Sequence, residues 1–493
     1  MPKSYEELMG PLGRSVFFRP ERKRVRDLLS ADTEPYLLVG GSEYKLFDIS
    51  MNGLSFLAPD GVQAWPVGKD LELTLMVFGT PVYSGHARIA RVEPGSRSGA
   101  RVGVGLTTGF LDLPEVIRQN EEGRLERELT VGAEEGRRKV PQAFWKAVSD
   151  ASYFFQYHKR ALDRHEARCR ATGPGGRADV VALAQRAFEA LKPQWFQIER
   201  AASLAAVECL RNRDTLQAAK ELTETMVTPI LLNSPLQRRA YTKPLGYAGD
   251  YQVMLYYYDS GFEGDSVFAQ VFHKMACEHP LSAGCRTRKD FIVDVMGEEL
   301  TRVVAVGGAD SLFRVTSLGC GPAREVADFA KKWGHRPGRT SWTLIDQEDE
   351  ALSVAYQTSR RALAQCEGQG TVQCLNLSFA QLFRDPTIVK AGSPQDLIFS
   401  TGLVDYLREA TAQQLVAVLY NQLAPGGLLA LGNAVGPNDY FFSAEFTLDW
   451  TIFYRTKEEM LRLAKAVAGE AQVEVALEPG KAYYFLLVRK PGQ

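Results

Sequence analysis

The spacing of apolar residues along the chain changes twice. From about residue 14 to 113, short apolar segments are separated by Gly, Pro, Asn and Asp, which predicts several short β-strands and a small barrel. From about 141 to 307, apolar residues recur at helical spacing with one break at 172–177, which predicts a helical region. After residue 312, apolar strands alternate with helical stretches, which predicts a doubly wound α/β sheet with a ligand at the carboxyl ends of its strands.

These changes predict a multidomain chain. We expect a β-barrel over residues 1–118, a helical lid or substrate region over 141–308 and the α/β domain over 309–493. The stretch 119–140 is highly charged and is interpreted as a linker or a solvated connecting helix. A length of 493 residues is enough for several hydrophobic cores.

Charge and cysteine content exclude some classes of protein. The 58 basic and 59 acidic residues give a net charge of -1, which excludes a protein that coats nucleic acid or an anionic membrane with its whole surface. Seven cysteines without a paired CxxC spacing and six histidines without a cluster predict neither disulfides nor a metal site. Because the N-terminus lacks an apolar signal core and no apolar run reaches the ~18 residues of a membrane span, we expect a cytoplasmic protein.

The segment 317–325, SLGCGPARE, lies between an apolar strand and a helical stretch. Gly319 and Gly321 allow the backbone to pass closely beneath a ligand, and Pro322 suits the first turn of a helix. A dinucleotide-binding turn would have a third glycine where this chain has Arg324. The segment therefore predicts either a nucleotide-type ligand or a purely structural turn.

Asp346 ends the second apolar strand, 25 residues after Gly321. A carboxylate at this point can accept hydrogen bonds from both hydroxyls of a ribose. It can also cap the helix that follows, and the two roles can coexist. Asp346 is therefore the candidate ribose ligand.

Three later segments continue the series of strands. Residues 373–377 close a third strand, 396–402 a fourth, and the Pro-Gly-Gly turn within 423–430 leads into a fifth. With the glycine turn and Asp346, this succession resembles the class I S-adenosylmethionine-dependent methyltransferases over residues 310–493. The last segment of the chain resembles the two antiparallel strands that end the sheet in that family.

This resemblance implies an S-adenosylmethionine site at four strand ends. The implied contacts are Gly319 and Gly321 at the methionine part, Asp346 at the ribose, Asn376 or Leu375 at the adenine, and Ser400, Thr401 and Gly402 at the methyl group. Because the sulfonium is already an activated methyl donor, the protein has to align the acceptor and exclude water, and catalytic acids are not required.

The helical pattern breaks at 241–250, YTKPLGYAGD. Loops that present Tyr, Lys and Asp from a helical scaffold are site candidates, and an ordinary interhelical turn is the alternative. Together with 286–288, 345–352 and 449–456, this segment resembles bacterial methyltransferases assigned to biosynthesis of the extracellular factor 3-hydroxypalmitic acid methyl ester. The resemblance covers residues 140–493.

This second resemblance implies a fatty-acid carboxylate, or an acid derived from an acyl thioester, as methyl acceptor and a methyl ester as product. A carboxylate nucleophile needs no general base at neutral pH. The implied contacts are Tyr247 and Asp250 at the cofactor end of the cleft, Arg455, Arg286 or Lys243 at the acid, and aromatic residues of 251–258 and 440–454 along the acyl chain. For an amine or hydroxyl acceptor, Asp250 or Asp405 would be the first base to test.

A basic stretch with Arg22 and Arg26 precedes the barrel strands, and the segment 47–54 places Asp48, Ser50 and Gly53 at a strand end and turn. Taken singly, these are an ordinary charge run and an ordinary turn. Together, RxxxR and DxSxxG resemble the PilZ domain, which binds cyclic di-GMP, over residues 14–115. The resemblance implies phosphate and guanine contacts from the two arginines, helped by Arg24, and guanine-edge contacts from Asp48 and Ser50.

The sequence thus predicts a cyclic di-GMP-responsive methyltransferase with a small-molecule acceptor. Two alternatives remain open: a cyclic di-GMP effector whose methyltransferase fold is a scaffold for a partner protein, and a methyltransferase that acts on a different small molecule. No motif reports the acceptor's chain length, the oligomeric state, or whether the nucleotide activates or inhibits.

Overall fold

The computed structural model describes residues 23–25, 35–59, 65–94, 99–127, 129, 133–171, 176–366, 370–378, 381–382, 394–436, 438–467, 469 and 471–492. The chain forms two compact units, Met1–Gly136 and Arg137–Gln493. None of the helices in the described ranges combines the length and the apolar composition that a membrane crossing needs.

The first unit contains a closed barrel of six antiparallel strands. The described residues of this unit form seven strands: β1 (Lys23–Arg24), β2 (Tyr36–Val39), β3 (Ser42–Ser50), β4 (Gly53–Ala58), β5 (Asp70–Val77), β6 (Thr80–Pro94) and β7 (Ala100–Leu106). The barrel order is β3-β2-β5-β6-β7-β4, pairing of β4 with β3 closes the ring, and β1 pairs with β3 outside it. Apolar side chains such as Leu37, Phe56 and Val104 are buried in its core. The predicted barrel is therefore confirmed. Closure of the ring removes the exposed edges that short strands would otherwise present.

Two helices follow the barrel in the sequence, α1 (Leu113–Arg127) and α2 (Ala133–Lys139). They occupy much of the stretch that the charge pattern assigned to a linker or a solvated connecting helix. In α1, Arg118 pairs with Glu115 and Glu122 at helical spacing, which is the pattern of a solvated helix surface.

Among the described residues, eight α-helices lie between α2 and the sheet of the second unit. They are α3 (Gln142–Ala171), α4 (Gly176–Ala206), α5 (Arg213–Met226), α6 (Thr228–Leu231), α7 (Pro235–Thr242), α8 (Tyr251–Asp259), α9 (Val267–Cys277) and α10 (Pro280–Gly307). Side-chain oxygens of Asn212, Ser234, Asp250 and Ser266 accept the first backbone N–H groups of α5, α7, α8 and α9. The helical prediction for this region is confirmed.

The remaining strands form a mixed sheet, and helices connect many of them. They are β8 (Leu312–Leu318), α11 (Arg324–Trp333), β9 (Arg339–Asp346), α12 (Asp349–Leu363), β10 (Gly370–Asn376), β11 (Gln395–Ser400), α13 (Glu409–Tyr420), β12 (Leu423–Ala434), α14 (Lys457–Leu463), β13 (Gln472–Leu477) and β14 (Tyr483–Arg489). The strand order is β10-β9-β8-β11-β12-β14-β13, and β8 to β12 are parallel. β14 runs antiparallel to β12, and β13 pairs antiparallel with β14, so β13 again runs in the direction of β8 to β12. The doubly wound sheet is therefore confirmed. Of the two final strands expected to be antiparallel, only β14 opposes β8 to β12, because β13 turns back beside it in a hairpin.

The helices and the sheet share one core. Ile292 and Met296 of α10 belong to the same buried cluster as Phe313, Trp342 and Phe399 of the sheet. The boundary predicted at 308/309 falls inside this unit, at the end of α10. The order of the sheet reverses between β8 and β11, and a crevice for a ligand is expected at the carboxyl ends of these two strands.

Candidate active site

A cavity of about 470 Å³ lies at that point of the sheet. Its volume is in the usual range of small-molecule sites, roughly 300–1,000 Å³. Residues at or just after the ends of β8, β9, β10 and β11 form one wall of it: Gly319, Cys320, Gly321, Pro322, Asp346, Gln347, Leu377, Ser378, Thr401, Gly402, Leu403, Asp405 and Tyr406.

The glycine turn is held to the next strand by Asp346. Gly319 and Gly321 have φ of 62° and 50°, in the left-handed region that favours glycine. The Gly321 N–H donates to Asp346 Oδ2 at 2.8 Å, and the Glu348 N–H donates to Oδ1 at 3.1 Å. Burial raises the pKa of Asp346, and these backbone N–H groups oppose the rise. One carboxylate therefore connects two strand ends directly beneath the cavity.

The predicted cofactor residues are not all at the cavity surface. Gly319, Gly321, Asp346 and Gly402 line it. The side chain of Asn376 instead donates to the Gln347 carbonyl oxygen at 3.2 Å and to Asp349 Oδ1 at 2.7 Å. Ser400 is buried at the end of β11, and its hydroxyl has no hydrogen-bond partner within the described residues. Next to Asn376, the cavity is lined by Leu377 and Ser378.

The KPLGYAGD loop closes one side of the cavity. Lys243 ends α7 in a left-handed conformation, and its Nζ donates to the carbonyl oxygen and the carboxylate of Asp449 at 2.7 and 3.0 Å. A Cβ on Gly249 would lie 2.5 Å from the ring of Trp450 and 2.8 Å from the hydroxyl of Tyr406, so the backbone packs where no side chain fits. Trp450 also donates to Tyr406 at 2.9 Å. The loop and the 449–450 segment therefore pack against each other on one side of the cavity.

Tyr247 of this loop lines the cavity. Its pKa is raised by burial first and by the negative charge of Asp346 second. The phenol therefore stays neutral at physiological pH and can act as a hydrogen-bond donor.

Asp250 does not line the cavity. It is 1% exposed, caps α8 by accepting the N–H groups of Gln252 and Val253, and pairs with Arg239 Nε at 2.7 and 2.9 Å. Its oxygens are engaged in holding the end of the loop. The geometry supports a structural role for Asp250 and does not place it at a reacting group.

The three cations predicted at the acid are engaged elsewhere. Arg455 is buried and donates to the carbonyl oxygens of Val404 and Leu407 and to the side-chain oxygen of Asn433. Burial lowers the pKa of Arg455. Arg286 donates to the carbonyl oxygens of Tyr257 and Cys277, each at 2.8 Å, and Lys243 is bound to Asp449. None of the three is among the residues of the described chain that line the cavity.

A different arginine reaches the cavity. Arg288 of α10 is buried and lies 3.7 Å from Asp405, with its guanidinium 4.4 Å from the centre of the Tyr483 ring. Burial raises the pKa of Asp405 to about 6, opposed by Arg288 and by the Ala434 N–H that Asp405 accepts at 2.7 Å. The sequence does not reveal this pair as a unit, because helical spacing alone does not show which side of α10 faces a ligand.

The wall opposite the strand ends is largely apolar and comes from the helices and the 443–452 segment. It contains Trp195, Leu236, Met254, Tyr257, Phe272, Met275, Leu448, Trp450 and Ile452. At its far end, Glu199 accepts the N–H and the hydroxyl of Ser443 and pairs with His279 at 3.3 Å. The cavity is therefore polar at the strand ends and mostly apolar along the helices, with one polar cluster at Glu199, His279 and Ser443.

Glu325 lies in the first turn of α11, buried behind the glycine turn, and accepts a hydrogen bond from Ser317 at 3.4 Å. Burial raises its pKa from 4.5 to about 7. Folding therefore binds a proton between these pH values, and the associated stabilisation is present below pH ~4.5 and lost as pH rises through 7.

We expect Glu325→Gln to remove this dependence. The difference in free energy of unfolding, wild type minus variant, should be lower at about pH 8 than at about pH 5 by roughly 2–3 kcal/mol. Urea unfolding of both proteins at the two pH values measures this difference, with exposed Glu474→Gln as control. A difference that stays constant with pH would contradict the assignment.

Three of the five predicted nucleotide-site residues of the barrel, Asp48, Ser50 and Gly53, lie within the described residues. Asp48 is buried and pairs with Arg101, whose Nε also donates to Ser55 at 3.2 Å. Ser50 donates to the Gly53 carbonyl oxygen at 3.0 Å, which closes the turn between β3 and β4. Arg22 and Arg26 lie outside the described residues.

No family model matches the chain, and no curated protein matches it. Solved structures similar to it include a possible exported protein from Bordetella parapertussis, at 17% identity and a TM-score of 0.35 over 64% of this chain and 97% of that chain. Magnesium protoporphyrin IX methyltransferase from Synechocystis PCC 6803 is 14% identical, with a TM-score of 0.33 over 51% and 98% of the two chains. N-methyltransferase NodS from Bradyrhizobium japonicum is 16% identical, with a TM-score of 0.26 over 40% and 86%.

Both methyltransferases were solved with S-adenosylhomocysteine. Similarities at this level carry no argument about this chain. The assignment of the fold therefore rests on the strand order and on the geometry of the strand ends.

Proposed function

We propose that the second unit is an S-adenosylmethionine-dependent methyltransferase that converts a fatty-acid-type carboxylate to its methyl ester. The hydrogen bond from Gly321 to Asp346 carries the proposal. It holds a glycine turn beside a carboxylate suited to a ribose, at the point where a doubly wound sheet reverses direction. The choice of S-adenosylmethionine as the cofactor is supported by the order of the motifs at the strand ends, which is that of the class I methyltransferases.

The residues at this site fit S-adenosylmethionine better than a dinucleotide. Pro322 has no N–H, and Ala323 precedes α11 in a left-handed conformation, so the start of the helix is poorly suited to a pyrophosphate. Asp346 accepts two backbone N–H groups at 2.8 and 3.1 Å, and a carboxylate has about four acceptor sites, which leaves capacity for hydroxyls. The residues that would hold the cofactor are Gly319, Gly321, Asp346, Leu377, Ser378, Thr401 and Gly402.

The acceptor is proposed from the two ends of the cavity and from the second resemblance. The helical wall offers apolar and aromatic surface to an acyl chain, and the polar end offers a cation to its acid. When bound, the cofactor supplies a methyl group on a sulfonium, which a carboxylate can accept without a base. Asp405, whose pKa is raised to about 6, would act as a base only for a hydroxyl or amine acceptor.

The barrel is proposed to bind cyclic di-GMP and to change the rate of methyl transfer. The support is the pair of motifs, with Arg22 and Arg26 on one side and Asp48, Ser50 and Gly53 on the other. We also propose a cytoplasmic location, because cyclic di-GMP and S-adenosylmethionine, the two proposed ligands, are found inside cells.

The test is methyl transfer by the full chain. Labelled S-adenosylmethionine is incubated with saturated fatty acids of increasing chain length, with and without cyclic di-GMP, and methyl esters are extracted and counted. We expect ester formation with an optimum in chain length and a rate that changes with the nucleotide. Arg22→Ala with Arg26→Ala should abolish nucleotide binding in calorimetry and leave S-adenosylhomocysteine affinity unchanged.

The alternatives give different results in the same assay. A protein that binds neither S-adenosylmethionine nor S-adenosylhomocysteine would be the non-catalytic scaffold. Cofactor binding without ester formation would point to another small-molecule acceptor. Unchanged nucleotide affinity in the double arginine variant would overturn the assignment of the barrel.

A further inference from the structure

We propose that Arg288 is the carboxylate-binding residue of the cavity. The inference rests on the proposed function for the identity of the ligands, whereas the choice of the residue rests on its surroundings. Arg288 is 6% exposed and lines the cavity.

The guanidinium of Arg288 is buried without a hydrogen bond to oxygen from the part of the chain that the structure describes. Its Nε has no partner there. Nη2 has the thioether sulfur of Met254 at 3.8 Å, which is a weak acceptor. Nη1 lies 3.7 Å from Asp405, beyond hydrogen-bond distance but close enough to balance the charge.

Such an arrangement is costly for the folded protein. A buried charge normally has both an ion partner and hydrogen bonds, because each unsatisfied donor keeps the full penalty of leaving water. Arg286 and Arg455 follow this rule, since oxygen atoms of the chain accept their hydrogen bonds. Arg288 departs from it at the wall of a cavity, which is the place where a ligand can supply the missing acceptors. A carboxylate matches the planar fork of donors in two parallel hydrogen bonds.

The surroundings of Arg288 place it within reach of the cofactor site. A Cβ on Gly402 would lie 2.9 Å from Nη2 of Arg288, so the glycine at the end of β11 makes room for the guanidinium. A Cβ on Gly319 would lie 3.8 Å from that of Leu403, the residue after Gly402. Asp346 is the last residue of β9, which pairs with β8 on the side away from β11. A ligand whose ribose is held by Asp346 and which follows the glycine turn therefore extends toward Arg288.

Two ligands of the proposed reaction carry the required group: the amino-acid part of the cofactor and the acid of the acceptor. Binding of three probes to the full chain distinguishes them. S-adenosylhomocysteine has the amino-acid carboxylate, 5′-methylthioadenosine has the same nucleoside without it, and a saturated fatty acid has the acceptor's acid. Dissociation constants are measured for the wild type, Arg288→Gln and Arg288→Lys. Arg302→Gln is the matched control, because Arg302 lies on the same helix, contacts Glu299 and is outside this cavity.

We expect Arg288→Gln to weaken binding of S-adenosylhomocysteine or of the fatty acid by about tenfold or more, with a smaller loss in Arg288→Lys. Binding of 5′-methylthioadenosine, and all binding by Arg302→Gln, should be unchanged. A selective loss of S-adenosylhomocysteine assigns Arg288 to the cofactor, and a selective loss of the fatty acid assigns it to the acceptor.

Two results would overturn the proposal. One is wild-type affinity of Arg288→Gln for both carboxylates, and the other is an equal loss of 5′-methylthioadenosine, which would indicate general damage to the site. Thermal unfolding of each variant shows whether it is folded. A wild type that binds no S-adenosylhomocysteine would reject the proposed function. The fatty-acid measurement would still decide the role of Arg288. Weaker fatty-acid binding by Arg288→Gln than by the wild type supports that role, and equal binding by both, or binding by neither, rejects it.

Discussion

Asp346→Ala should weaken S-adenosylhomocysteine binding by about 2–4 kcal/mol, a roughly 30- to 1,000-fold rise in the dissociation constant. Two effects add. The hydroxyls of the ribose lose a charged acceptor, and the Gly321 N–H loses the oxygen at 2.8 Å that holds the glycine turn in place. Titration calorimetry of the purified full chain measures the change.

Two further variants separate these effects. Asp346→Asn keeps one oxygen for Gly321 and removes the charge, so it should fall between the wild type and Asp346→Ala. Asp396→Ala is the matched control: Asp396 also accepts a backbone N–H at 2.8 Å, from Arg314, but near the start of β11, at the other end of the strands. Equal affinities of Asp346→Ala and Asp396→Ala would reject a role for Asp346 in ligand binding.

Asp250→Ala should lower the free energy of unfolding by about 2–4 kcal/mol. The variant removes the cap of α8 and leaves Arg239 without its partner, while Asp250 itself is 1% exposed. We place the effect below that of a fully buried pair because the side chain of Arg239 is 25% exposed and can turn toward water. Urea unfolding monitored by circular dichroism provides the measurement.

Two control variants test this interpretation: Asp250→Asn, which keeps the helix cap, and Asp449→Ala, which removes an exposed acid. Asparagine is also a good cap, so Asp250→Asn should lose the ion pair alone and cost less than alanine. Asp449 contacts two lysines but its side chain is 60% exposed, and Asp449→Ala should cost less than about 1 kcal/mol. An Asp250→Ala variant as stable as Asp449→Ala would show that the loop is not anchored through this residue.

The local spacing of apolar residues was sufficient to predict the strands and helices of this fold. Period-two and period-3.6 spacing depends on which face of a strand or helix is buried, and the strands of the sheet and the barrel were recognisable on that basis. Gly319, Gly321 and Asp346 were found for the same reason, since residues that follow parallel strands must meet at one edge of the sheet.

Side-chain roles in the helical region were not accessible in this way. The motif around Asp250 suggested chemistry, but its carboxylate caps a helix and pairs with Arg239. Arg455 stood beside aromatic residues in the sequence, yet its donors are taken by the 404–407 turn and Asn433. Short motifs report that a local geometry is needed, and they do not report whether a ligand or the chain itself satisfies it.

By itself, the sequence determined the succession of a barrel, a helical region and a doubly wound sheet, and it determined the glycine turn and the acid at neighbouring strand ends. Only the tertiary structure decided which charged side chain faces the cavity. Arg286 and Arg288 are two residues apart on the 28-residue helix α10, and one is bound by carbonyl oxygens while the other meets the cavity without an oxygen partner among the described residues. The physical reason is that the neighbours of this buried guanidinium come from distant segments, at Gly402, Asp405 and Tyr483, and packing of the whole unit sets how closely they approach.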